Sequence, residues 1–261
     1  MRPHHEQAIR GLVEHFAGDD TCLGVIVGGS IAKGLEREDS DVDVMLVVTD
    51  ERYREQWAQN RLFYITGEFC DYAGGYIDGK FVDMRYLSAA AERGNEVTRA
   101  AFQGSFVAHA KVDGLEDIVR RIPAYPAGEK QEKIQAFYAQ FECAGWYLSE
   151  AVRSGDRYLL THAVSELVLY GGRLLLAHNE VLYPYHKHLM TELRRAADKP
   201  DGLVEAIDAL LDQPGPEPAR AFYDLIKGFR PWNEAGEMWQ TRYLKDTELA
   251  WMDNRAYVGD R

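Results

Sequence analysis

Gly28-Gly29-Ser30 and Asp41-Val42-Asp43 are separated by ten residues, and each sits at the end of a buried-strand pattern. The apolar run Leu23 to Val27 has the length and β-branched content of a buried strand. It ends in two glycines, whose missing Cβ atoms let a phosphate approach the backbone. Ile31 to Leu35 can begin a short helix whose free N–H groups face such a phosphate. The second apolar run, Val44 to Val48, follows the aspartates directly. Alternate strand residues share a face, so Asp41 and Asp43 project the same way while Val42 and Val44 enter the core. Two like charges roughly 7 Å apart along a strand repel unless a cation lies between them. Hard carboxylate ligands of this kind suit Mg²⁺.

A third acid is expected downstream. Tyr72 to Leu87 reads as a hairpin with Asp78-Gly79 at its turn, which places Asp83 in the second strand. There Phe81, Asp83 and Arg85 share one face, and an acid occupies a position where an apolar residue is the default. If that strand neighbours Val44 to Val48, Asp83 joins Asp41 and Asp43. Three carboxylates beside a Gly-Gly-Ser turn are the equipment for two-metal nucleotidyl transfer.

This run of Gly29-Ser30, ten residues, Asp41-x-Asp43 and a later Asp83 resembles the signature of the nucleotidyltransferase superfamily related to DNA polymerase β. Within it the chain most resembles the small-molecule adenylyltransferases of aminoglycosides and lincosamides, of kanamycin nucleotidyltransferase type. The motif-bearing resemblance covers roughly residues 20 to 90. It implies that Gly29 and Ser30 bind the nucleotide phosphates and that Asp41 and Asp43 hold Mg²⁺, with Asp83 as metal ligand or base. The implied reaction moves a nucleoside monophosphate, AMP from ATP or the equivalent from another NTP, to a hydroxyl of a small, cationic, antibiotic-like acceptor. Ser40 is a further candidate for the nucleotide.

The elements that must position these residues follow from length and pattern. The 261 residues, with 46% apolar and 28% charged side chains, suffice for two modest domains. Residues 4–17 form an amphipathic helix, and an α/β segment closes with a strand at 105–110 and a helix at 115–122. Pro123 to Gly128 breaks the pattern. Helical periodicity then covers 130–154, 156–179, 187–197, 202–211 and 216–228. The expected class is therefore α+β: a nucleotidyltransferase α/β domain with a mixed sheet at 1–122, then a helical bundle at 123–261.

His162, Glu166, Tyr170 and Arg173 fall on one helical stripe. In enzymes of the resembled group a helical-domain glutamate acts as base on the acceptor, which makes Glu166 the first candidate and Glu142 the second. A solvated stripe with an internal ion pair is the competing reading. Lys187 at a helix start opposes the macrodipole, which a nearby triphosphate would account for. Lys33, Arg37 and Arg85 are further phosphate candidates. His186 and His188 lack the companions of a zinc site.

The net charge of −12 argues against a nucleic-acid surface and favours cationic small molecules. No stretch approaches the ~20 apolar residues of a membrane span, and the amino terminus lacks a signal peptide's apolar core. A cytoplasmic location is the expectation, with Cys22, Cys70 and Cys143 as thiols rather than disulfides. A protein-modifying transferase, a non-catalytic nucleotide-binding module and a polymerase adding nucleotides to RNA are the competing classes. The helical addition, the three acids and the acidity disfavour them in that order.

Overall fold

The computed structural model describes residues 1–234, 236–254 and 258–260, and the chain divides into two compact units, Met1–Ala124 and Tyr125–Arg261.

In the first unit five strands form one mixed sheet in the order β3-β4-β2-β1-β5. They are β1 (Cys22–Val27), β2 (Val42–Val48), β3 (Phe63–Thr66), β4 (Ile77–Val82) and β5 (Phe106–Ala110). Only β2 and β4 run parallel; the other neighbours are antiparallel. Helices α1 (Pro3–Ala17), α2 (Gly29–Ala32), α3 (Asp50–Ala58), α4 (Met84–Arg93), α5 (Glu96–Ala101) and α6 (Leu115–Arg121) connect and cover the strands.

Strand alternation sorts the core into two layers. Val42, Val44, Leu46 and Val48 pack with Ala8, Leu12 and Phe16 of α1, while Met45 and Val47 face Leu87 and Ala90 of α4 and Val119 of α6. Full burial of each such aliphatic side chain contributes roughly 1.5–3 kcal/mol. The parity leaves Asp43 on the α4 face. Buried Arg99 stitches that layer, donating to the carbonyls of Ala91, Gly94, Ile122 and Ala124 at 2.8–3.2 Å.

The hairpin expected across 72–87 is not formed. Asp78 and Gly79 lie inside β4, paired on one side with β2 and on the other with β3. Gly79 is needed for close approach rather than for a turn, because a Cβ there would collide with the Val44 carbonyl.

The second unit contains α7 (Lys130–Ser154), α8 (Arg157–His178), α9 (Leu189–Arg195), α10 (Leu203–Asp212), α11 (Pro216–Phe229) and α12 (Trp239–Asp246). α7 is stopped by Gly155 in the left-handed region, and Asp156 then caps α8 by accepting from Leu159 N at 3.0 Å. The α7–α8 pair encloses fully buried Arg173, whose guanidinium lies 4.1 Å from the Phe137 ring centre and 4.3 Å from that of Tyr183. By length and composition α8 could cross a membrane, yet 67% of its apolar window is buried inside the structure, as in a core helix.

Candidate acidic site

Asp43 and Asp78 are direct register partners across β2 and β4, so their side chains leave the sheet on the same side. Asp41, one residue before β2, completes the group. One carboxylate oxygen from each lies within 4.8 Å of the others, and all three residues are half-buried. Tyr76, just ahead of β4, donates its hydroxyl to Asp41 Oδ2 at 2.9 Å and fixes that carboxylate. Burial, and then the charge of Asp41, push the Asp78 carboxyl above its ordinary range. The bond to Asp41 raises the Tyr76 phenol in turn.

The Gly28–Ser30 turn abuts this cluster. Gly28 N–H donates to the Asp43 carbonyl at 2.9 Å, locking the turn to β2. Gly29 adopts φ +62°, and a Cβ on it would collide with the Asp43 carboxylate. Both conditions require glycine. Ser30 follows in α2 with its hydroxyl oxygen buried and without a hydrogen-bond partner. The first-turn N–H groups of α2 have no acceptor within the helix.

Asp83 does not join the carboxylates. It caps α4, accepting from Tyr86 N at 2.8 Å, and it is 2% exposed. Its Oδ2 also accepts from Arg85 Nε at 2.8 Å and Nη2 at 2.5 Å, while Arg85 reaches Asp50 at 3.7 Å. The third acid is Asp78 instead. The Asp-Gly pair looked like a turn, although Ile77 and Phe81 alternate with polar residues in a pattern that fits a strand through it.

Ser40 braces its own loop: its hydroxyl accepts from Arg37 N and its carbonyl from Tyr72 Oη, both at 2.9 Å. Arg37 itself pairs with Asp39 at 3.0 Å. Glu166 and Lys187 belong to the second unit. Lys187 is exposed in the 3-10 turn His186–His188. The polar stripe of α8 is not a solvated face. His162 is exposed and Glu166 half-buried, but Tyr170 and Arg173 are fully enclosed. Glu142 is engaged by Tyr223 Oη at 2.6 Å and Lys227 Nζ at 2.8 Å.

Residues 9–107, which include the turn and all three clustered acids, match the family of nucleotidyltransferase domains. No curated protein matches the sequence. Among solved structures the chain is similar to a nucleotidyltransferase-like protein from Exiguobacterium sibiricum 255-15, at 13% identity and a TM-score of 0.50. That similarity covers 96% of this chain and 81% of the other, and it shows a likeness of fold alone. The amino-terminal unit therefore contains a segment similar to nucleotidyltransferase domains, with the Asp41–Asp43–Asp78 cluster inside the matched residues.

Proposed function

We propose that this protein transfers a nucleoside monophosphate, AMP from ATP, to a hydroxyl of a small cationic molecule, using Mg²⁺ held by Asp41, Asp43 and Asp78. The observation that carries the reading is the convergence of three carboxylates beside the Gly28–Ser30 turn. The donor set fits hard divalent cations: oxygen ligands only, mutual repulsion within the cluster, and a raised Asp78 that a cation would relieve. Ions bound there would neutralise the triphosphate and ease ionisation of the attacking hydroxyl.

The chain's own groups supply the rest. The unpartnered Ser30 hydroxyl donates to a phosphate oxygen, and the first-turn N–H groups of α2 add further donors. Glycine at position 29 lets the turn pass directly against the Asp43 carboxylate, which a side chain there would displace. Tyr76 holds the Asp41 carboxylate in one orientation, which limits reorganisation during the reaction. The acceptor hydroxyl releases its proton to water as its oxygen bonds the α-phosphorus, the bond from that phosphorus to the α,β-bridging oxygen breaks, and pyrophosphate leaves.

The test is pyrophosphate release from ATP with Mg²⁺ against a panel of hydroxyl-bearing small molecules, aminoglycosides and lincosamides included. Acceptor-dependent release that chelator abolishes is expected. Absence of nucleotide binding in the presence of Mg²⁺ would overturn the reading.

A further inference from the structure

The helical unit contains a polar cavity of about 160 Å³ between α7, α8 and α12, walled by Gln140, Cys143, Tyr147, His162, Glu166 and Tyr243. That volume holds about five waters, or a ligand of similar bulk. Most polar groups around it are already engaged. The Cys143 thiol and Tyr243 hydroxyl bond each other, and Thr247 Oγ1 donates to the Tyr243 carbonyl at 2.7 Å. His162 stacks on Tyr158 with the rings 4° from parallel.

Two groups stand apart. Gln140 is 5% exposed, and its Nε2 donor has no hydrogen-bond partner. A buried donor in that state calls for an acceptor. Glu166 makes no ion pair among the described residues, and burial raises its proton affinity while His162 opposes the shift. A half-buried carboxylate in that state favours a cation. The tyrosine rings in the wall favour a cation as well, as does the overall charge of −12.

We propose that this cavity binds a small primary ammonium compound with an oxygen acceptor beside the amine, the ammonium meeting Glu166 and the oxygen meeting the Gln140 amide N–H. The site lies wholly within the helical unit and needs neither nucleotide nor divalent metal. It therefore stands or falls separately from the transfer reaction.

Ligand-observed NMR titration of the full-length protein, without nucleotide or metal, tests it with three probes. Ethanolamine carries both groups, propylamine lacks the acceptor, and ethylene glycol lacks the charge. Saturable ethanolamine binding is expected, with each of the other two at least tenfold weaker. Glu166→Gln should abolish binding of both amines. Gln140→Met should reduce ethanolamine to the level of propylamine and leave propylamine unchanged. Should Gln140→Met fail to fold, the half-exposed Glu166 variant and the three-probe comparison still decide. No saturable ethanolamine binding, equal binding of ethylene glycol, or ethanolamine binding that survives Glu166→Gln would each overturn the proposal.

Discussion

Asp43 and Asp78 face each other across adjacent parallel strands, and this pairing rather than sequence spacing builds the acidic cluster. Asp78→Asn keeps the side-chain shape and removes one of three charges. It should lower Mg²⁺ affinity at least about tenfold, since even outer partners of metal ligands carry effects of that size. In the metal-free protein the same change should raise Tm, because it removes a half-buried carboxylate repelled by Asp41. Calorimetric Mg²⁺ titration beside thermal unfolding checks both directions; undiminished Mg²⁺ affinity would remove Asp78 from the site.

Asp83 supplies the contrasting case. Asn caps a helix about as well as Asp, so Asp83→Asn should cost only the solvent-screened charged bonds to exposed Arg85, a small loss. Asp83→Ala also loses the cap to Tyr86 N and should cost roughly 1 kcal/mol more. Both variants should keep wild-type Mg²⁺ affinity. Urea unfolding together with the same calorimetry separates this structural role from a ligand role.

The turn, the Asp-x-Asp pair and their two strands were legible because each element carried a local signal: an apolar run, a glycine pair, a parity of two. The third acid was not. Asp78-Gly79 has the composition of a tight turn, and what makes it strand is non-local, namely the parallel pairing of β4 with β2 and the close approach of Gly79 to Val44. The four-residue strand Phe63–Thr66 was too short to show a period, and its outward Phe63 and Ile65 remain exposed. In the second unit the long helices followed their periodicity. The spacing of His162, Glu166, Tyr170 and Arg173 located a stripe but not its depth, since burial of Arg173 depends on Phe137 and Tyr183 from elsewhere in the chain.

Gly29 and Ser30 should respond very differently to substitution. Gly29→Ala places a Cβ against the Asp43 carboxylate at a positive φ, which alone costs about 1–2 kcal/mol. It should displace Asp43 and weaken nucleotide and Mg²⁺ binding together. Ser30→Ala removes a single donor and should weaken nucleotide binding by only about 1 kcal/mol, with Mg²⁺ affinity in the absence of nucleotide unchanged. Equal, small effects of the two changes on ATP binding would mean that the phosphates sit elsewhere.

Glu166 offers a pH-dependent test of the helical cavity before any ligand is known. The groups around it are His162 on its own helix, Cys143 and Tyr147 on α7, and Tyr243 on α12. Burial raises its folded-state pKa above the unfolded value, with His162 opposing the shift. The ionised carboxylate is then a stability cost in the empty protein. That cost is absent below the ordinary glutamate range, where the group is protonated in both states. It develops as pH rises through the raised folded value, where the native state must release its proton. Glu166→Gln should therefore raise Tm at pH 7–8 and confer progressively less advantage toward pH 4. Parallel melting curves of the two proteins across that range check the sign. A Tm difference independent of pH would show that Glu166 is not strained by burial, and a lower Tm at neutral pH would show that a favourable partner holds its charge.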